Sequence, residues 1–468
     1  MFRSIFTTLG NCFKIPELKS RILFTIMLLA VCRLTAFIVI PGIDGHALAK
    51  FFNENSQGAG GLLTMYNTFA GGALGNCAVS SLGIMPYISA TIIIQLLTAV
   101  WPRLSKLARE EGGRTKIIQY GRYLTVLLCI GQGWYFAHNW LTPESAFRGF
   151  QGNLVLYHNL FAYFFVTITV MTAGTMLLMW IGEQITERGI GNGVSLVITI
   201  GILARLPNAV QGLVDMFSTH GGTMPAQHNF WTTAPVLVFL MVMVVGGVIA
   251  ITQAQRKIPV QYAQRAVGRK MYAGGTSFMP LRVNYAGVMP IIFAQSILLF
   301  PQPLFNGLAS LFTSPSLRFI QDFCRWAAMQ LNYGSFVYLA LYALMILFFS
   351  YFWVATQFNE IQIADDLKKN GGYIPGVRPG QGTSDYLHNA MSRITLAGAV
   401  FLTVIATIPI ILARQMGVDQ NVASFFGGTS ILIAVGVLLD TMRQVESHLM
   451  MRHYDGFLKK GRLRGRFA

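Results

Sequence analysis

Apolar residues in this chain form long runs separated by short polar stretches, with little of the one-sided striping of a helix that faces water. Stretches of about 20 apolar residues, each enough to cross roughly 30 Å of hydrocarbon, fall near 21–41, 77–98, 117–138, 155–182, 189–204, 232–253, 285–301, 336–357, 391–413 and 425–441. A segment surrounded by lipid must satisfy its own backbone N–H and C=O groups, so helices are the expected elements. The pattern predicts an all-α polytopic membrane protein with ten transmembrane helices. It divides into an N-terminal segment (1–20), a first half (21–204), a connection (205–231), a second half (232–441) and a tail (442–468).

The pattern also repeats. Gly83-Ile84-Met85-Pro86-Tyr87-Ile88-Ser89-Ala90 in the second span matches Gly287-Val288-Met289-Pro290-Ile291-Ile292-Phe293-Ala294 in the seventh at five of eight positions. Residues 193–201 in the fifth span match 428–436 in the tenth at four of nine. Both matches shift the span number by five. An odd shift means that the second half enters the bilayer from the opposite face, an inverted-topology repeat whose working site lies at the midplane between the halves.

The matches pair Ile88 with Ile292 and Ile198 with Ile433. Each is expected roughly 7 to 11 residues into its span, about half the hydrocarbon depth at about 1.5 Å per residue. Ile84 and Val194 precede Ile88 and Ile198 by one turn on the same face. Four helices are thereby predicted to point aliphatic side chains at one place. Such a ring excludes water and ions when nothing occupies it, and it is indifferent to the sequence of what passes. Between the first two spans, GAGGLLTMYNTFAGGALGN (58–76) is apolar enough to enter the membrane but too short and glycine-rich to cross it. It reads either as an interfacial loop or as a mobile segment that folds back and blocks an external funnel.

Composition agrees with a membrane-embedded chain: of 468 residues 53% are hydrophobic and 11% charged, where soluble domains carry about 25% charge. Five cysteines in so long a chain form no disulfide framework, and neither a disulfide nor a metal is expected. The N-terminus lacks the short apolar core and small-residue cleavage site of a removable signal peptide. The net charge is +17, and its placement is one-sided. The termini and the even-numbered connections hold 28 Lys and Arg, against six on the other side. That asymmetry places both termini in the cytoplasm. Two of the basic connections are long: 254–283 carries Arg256, Lys257, Arg265, Arg269, Lys270 and Arg282, and 358–390 carries Arg378 between two Gly/Pro turns. Anchoring to anionic lipid is one reading of such clusters. Docking of a polyanionic or acidic partner, ribosomal RNA or a motor protein, is the other.

A set of segments then resembles one known family. PGIDGHAL (41–48), MYNTFAGGALGN (65–76), GIMPYISATIIIQLL (83–97), GEQITERGIGNGVS (182–195), NYAGVMPIIFA (284–294), PGVRPG (375–380) and FGGTSILI (426–433) are similar, in order and over nearly the whole chain, to the SecY channel subunit of bacterial protein translocases. The resemblance implies a clamshell of two halves around an hourglass pore. It implies a pore ring at Ile84, Ile88, Val194, Ile198, Ile292 and Ile433, with Val194 standing where isoleucine is commoner. It implies a plug within 58–76, including Gly60, Gly61, Leu62, Leu63, Met65, Phe69, Gly71 and Gly72. A lateral gate between spans two and three and spans seven and eight is implied as well, with Ser89, Gln95, Gln132, Gln295 and Ser296 on or near it. The basic residues named above match the family's docking surface for the ribosome and the SecA motor, Arg378 most firmly.

The family's partners follow as expectations: the small subunits SecE and SecG, SecA, the ribosome, signal-bearing precursors and anionic lipids, at the bacterial inner membrane. No cofactor is expected. A secondary transporter of a small solute would also use inverted repeats, but it calls for coordinating or ionisable groups at the midplane, and the matched windows contain no acid or base. An enzyme is a third class, and no HExxH, GxSxG or intramembrane carboxylate pair is present.

Overall fold

Each apolar stretch contains a helix, and glycine or proline marks many of the points where the helix starts. The computed structural model describes residues 15–54, 66–110, 112–143, 152, 154–157, 159–217, 230–262, 265–267, 270–272, 275–311, 318–415, 425 and 429–460. In chain order the helices are α1 (Pro16–Thr35), α2 (Gly45–Glu54), α3 (Met85–Val100), α4 (Pro102–Arg109), α5 (Gly113–Leu141), α6 (Leu160–Arg188), α7 (Gly193–Leu203), α8 (Leu206–Phe217) and α9 (Phe230–Gln253). Four strands follow, β1 (Gln255–Tyr262), β2 (Arg265–Val267), β3 (Lys270–Tyr272) and β4 (Thr276–Arg282). Then come α10 (Met289–Leu298), α11 (Pro301–Leu311), α12 (Arg318–Gln330), α13 (Phe336–Gln357), α14 (Glu360–Lys369), β5 (Gly372–Tyr373), α15 (Gln381–Gln415) and α16 (Thr429–Lys460).

The chain resolves into two units, one of Met1–Ile94, Glu110–Asn208 and Val437–Ala468, the other of Gln95–Arg109 and Ala209–Gly436. In the first, α6 is the centre: α1, α5 and α7 all pack on it. Glycines set these approaches. A Cβ on Gly174 of α6 would lie 2.1 Å from the carbonyl oxygen of Val79, and one on Gly193 would lie 1.9 Å from that of Gly182. Arg122 of α5 pairs with Glu183 of α6 through two hydrogen bonds of 2.6 and 3.3 Å. In the second unit α13 lies between α10 and α15, and α15 also packs on α9 and α14.

The helices and connections differ in local detail from the expected windows. Among the described residues five helices are long and apolar enough to cross a membrane, or six if α3 and α4, bent by 103° at their junction, count as one. The other windows hold helices that are short or charged. The ten residues of α10 rise only about 15 Å, and α1 carries Lys19, Arg21 and Arg33. The second span, expected from residue 77, becomes helical only at Met85, and the seventh, expected from 285, only at Met289. The connections are also richer than loops: α8 falls within 205–231, β1 to β4 within 254–283, and α14 and β5 within 358–390. The tail expected from residue 442 is the continuation of α16 as far as Lys460.

Replacing Gly174 by Ala should lower the thermal midpoint in detergent by several degrees, because the added methyl meets backbone that cannot swing aside. Gly131→Ala, where nothing lies within 4 Å, should be neutral or stabilising by up to about 1 kcal/mol. Equal effects at the two positions would show that close packing at Gly174 does not limit stability.

Candidate functional site

The two repeat windows fold alike. Gly83 (φ +58°) and Gly287 (φ +62°) both take left-handed backbone, which glycine adopts without strain. Two residues later α3 and α10 begin, with Pro86 and Pro290 in the first turn, where proline's missing N–H removes no helical bond. The Ile88 N–H donates to Ile84 C=O at 3.2 Å, and the Ile292 N–H donates to Val288 C=O at 3.3 Å. The other matched pair also marks tight approaches. A Cβ on Gly201 would lie 3.4 Å from Gly71 Cα, and one on Gly436 would lie 2.1 Å from Val288 Cγ1.

The aliphatic residues therefore stand near helix starts and not halfway along continuous spans. Ile88 and Ile292 are the fourth residues of their helices, Ile433 the fifth and Ile198 the sixth. The physical reason is that the first part of the expected second, fifth and seventh spans is turn, not helix. Ile84, Ile88, Ile198, Ile292 and Ile433 are buried, none above 3% exposed, and Val194 is half-buried. None of them faces outward. In the first unit Ile84, Val197, Ile200, Gly201, Phe69 and Arg33 line one recess.

Residues 66–69 are helical and 70–84 are turns, and the stretch is largely buried, a combination that requires internal pairing of polar groups. The Gly75 N–H donates to Asn67 Oδ1 at 3.0 Å, the Tyr66 hydroxyl to Leu82 C=O at 2.8 Å, and the Ser81 hydroxyl to Ala73 C=O at 3.1 Å. Of the expected plug residues, Phe69 is buried, and Gly71 (φ +67°) and Gly72 (φ +89°) make the turn that follows. Gly60, Gly61, Leu62, Leu63 and Met65 lie outside the described residues. Sequence reasoning missed Arg33 as a member of this site. Its guanidinium donates to Gly71 C=O at 3.0 Å and stands 5.5 Å from the Phe37 ring centre. A lone arginine in an apolar span was the available signal.

The expected gate residues divide between the units: Ser89 and Gln132 fall in the first, Gln95, Gln295 and Ser296 in the second. Ser296 is satisfied within α10, donating to Ile292 C=O at 2.7 Å. The Ser89 hydroxyl, the Gln95 carbonyl and both ends of the Gln132 amide are buried without a hydrogen-bond partner. The buried Gln295 amide lies beside the Tyr342 hydroxyl without closing a bond to it. An unsatisfied buried polar group costs about 1–3 kcal/mol; outside the expected gate the Trp140 indole and the Thr167 and Thr175 hydroxyls are unpaired as well.

The two basic connections are one structure. β1 pairs antiparallel with β4, from Gln255↔Arg282 to Gln261↔Thr276, and on its other edge with β5, through Gln261↔Tyr373 and Tyr262↔Gly372. Ile258, Val260 and Leu281 from the first connection share a core with Phe358, Ile374 and Leu387 from the second. Arg256 and Lys257 are both exposed: alternation puts Lys257 on the face opposite Ile258 and Val260, and Arg256 stands on their face where the strand begins, outside the core. Arg378 is exposed on a turn fixed by Gly376 (φ +82°) and Gly380 (φ +95°), with Val377 packed against the core and the Thr383 hydroxyl donating to Arg378 C=O at 3.0 Å. Arg265 and Lys270 fall on the paired strands β2 and β3, and Arg269 lies outside the described residues. Among the described residues no group of three or more His, Cys, Asp or Glu could hold a metal ion.

Comparison with known proteins gives one result throughout. The SecY family model matches residues 78–442. The chain is 44% identical over 465 residues to protein translocase subunit SecY of Chlamydia muridarum, covering 98% of this chain and 99% of that one. It is 39% identical over 461 residues to the Thermotoga maritima subunit, covering 97% and 98%. In fold it is similar to a solved protein-conducting channel, with a TM-score of 0.58 at 17% identity over 91% of each chain. It is similar also to Sec61 in a canine ribosome–channel complex from the endoplasmic reticulum, with a TM-score of 0.53 at 16% identity over 91% of each.

Arg33→Met should remove the bond to Gly71, a charge-assisted contact worth about 1.5–3 kcal/mol, while preserving side-chain length. Resting ion conductance in a planar bilayer should rise several-fold. Unchanged conductance would reduce Arg33 to a packing role.

Proposed function

The chain belongs to the SecY family and is the channel subunit of a protein translocase; we propose that it seals with an aliphatic ring and opens around an unfolded polypeptide. It is a membrane-embedded channel and not an enzyme. The small-solute transporter reading is not favoured by any relative.

An extended chain carries a donor and an acceptor on nearly every residue, and each one stranded in hydrocarbon costs several kcal/mol. A water-filled funnel removes that cost. Ile84, Ile88, Val194, Ile198, Ile292 and Ile433 then act as the waist of the funnel, closing on themselves when empty and on the passenger when filled. The observation that carries this reading is the common local geometry of the two repeat windows, with each isoleucine shielded from the outside. Residues 58–76 act as the plug, held at their C-terminal end by Arg33. Ser89, Gln95, Gln132, Gln295 and Ser296 line a lateral gate, and the unpaired polar atoms of the first four suit a seam that parts and exchanges hydrogen bonds with a passing chain. Apolar segments leave sideways into lipid. An apolar signal segment favours the open state because it binds that state better, the only way a ligand shifts an equilibrium.

Nothing in this mechanism gives direction, so a partner must. The exposed Arg256, Lys257 and Arg378 on one joined module form the docking surface for SecA or the ribosome, with Arg265, Arg269 and Lys270 extending it. SecE and SecG complete the assembly, signal-bearing precursors are its passengers, and anionic lipids meet its remaining basic residues. The charge asymmetry supports both termini in the cytoplasm, and the bacterial relatives support the inner membrane.

Vesicles holding the chain with its partner subunits and a cytoplasmic motor should import a signal-bearing precursor. Absence of import together with saturable uptake of a small solute would restore the transporter reading. Serine at Ile88, Ile198, Ile292 and Ile433 together should raise resting conductance at least several-fold, and wild-type conductance would remove the seal assignment. Arg378→Glu should slow motor-dependent import by tenfold or more with the thermal midpoint unchanged. Import at the wild-type rate would leave that turn without a docking role.

A further inference from the structure

Helix α12 sorts its residues into three environments where a helix packed on a soluble protein needs only two. At 3.6 residues per turn, Cys324, Ala327 and Ala328 fall within about 100° of one another, and all three are buried. This is the side that meets α11, and Gln321 Nε2 donates across to Ala309 C=O at 3.2 Å. Phe319, Phe323 and Trp326 fall within about 60° of one another on a second face, and they are 84%, 52% and 58% exposed. Arg318, Asp322 and Arg325 fall within about 60° on a third and are exposed too, with Met329 beside them.

The position of α12 along the chain sets its depth. Leu331 N–H bonds back to Ala327 C=O, Asn332 to Met329 and Ser335 to Asn332, at 3.0 to 3.3 Å. The link to α13 is thus a tight turn. The Ser335 hydroxyl caps α13, accepting from Tyr338 N–H at 3.2 Å, and the apolar span starts at Phe336, itself 85% exposed. The C-terminal end of α12 therefore lies within about one turn of the level at which α13 enters hydrocarbon.

We propose that α12 is an interfacial helix, seated at the membrane boundary where α13 begins. Phe319, Phe323 and Trp326 reach into the acyl-chain edge, and the strip of Arg318, Asp322 and Arg325 stands at headgroup level, where the two guanidiniums meet lipid phosphate. The Trp326 indole suits this boundary because it joins an apolar ring to a polar N–H, and Phe319 and Phe323 supply the apolar face that such a helix buries at the acyl-chain edge. The opposed protein, lipid and water faces are what that location imposes. The helix would then pin the depth of α13. The inference needs only that the chain is membrane-embedded, and it holds whichever side of the membrane the connection occupies.

The test is spin-label accessibility in the full chain, carrying Cys12→Ser and reconstituted in vesicles of phosphatidylethanolamine and phosphatidylglycerol. Labels are placed by Phe323→Cys, Trp326→Cys or Asp322→Cys, with the unsubstituted background as the blank. At 323 and 326 collision with oxygen should exceed collision with a water-soluble nickel complex several-fold, and at 322 the order should reverse. Nickel access at 323 and 326 equal to that at 322 would overturn the proposal in favour of a water-facing helix. Exclusion of both reagents at 323 and 326 would overturn it in favour of a covering protein. Two positions on one face guard against a local effect of either substitution.

Discussion

Hydrocarbon offers a polypeptide no hydrogen-bonding partner, and the rest of this architecture follows from that constraint. It makes the long apolar segments helical, because only a helix satisfies its backbone internally. It also dictates how the chain is treated where it is not helical. Residues 70–84 are largely buried turns, and Asn67, Tyr66, Ser81 and Arg33 close their polar groups at 2.8 to 3.1 Å. The same constraint explains why a passenger needs a channel and why a ring of aliphatic residues seals one.

Burial of polar groups is otherwise expensive, which gives the unpaired Ser89, Gln95 and Gln132 their interest. They keep their cost of about 1–3 kcal/mol each, as the Thr167 and Thr175 hydroxyls of α6 do, whereas Thr125, Thr199 and Ser350 pair with helix carbonyls four residues back. A proposed seam that must part provides a reason: groups bonded firmly across it would hold it shut.

The basic connections illustrate a different economy. Taken separately each is a run of positive charge that lipid could explain. The β1–β5 pairing and a shared core around Ile258, Ile374 and Leu387 join the two connections into one packed structure. Preorganised charges lose less freedom on binding a partner than charges on loose loops, and Arg378 on its double-glycine turn is the clearest instance.

From sequence alone came the helices, the inverted repeat, the sidedness of charge and the residues of the candidate ring, because apolar runs, matched windows and the placement of Lys and Arg are properties of the chain read locally. The hairpin from 255 to 282 was not legible, since its strands are short and half polar and Pro259 interrupts them. Nor was the late start of α3 and α10, which depends on left-handed glycines at 83 and 287. Tertiary structure decided those points, along with the capture of Gly71 by Arg33 and the joining of two connections more than a hundred residues apart. The last two are contacts between segments distant in sequence, and their free energy exists only once both segments are in place.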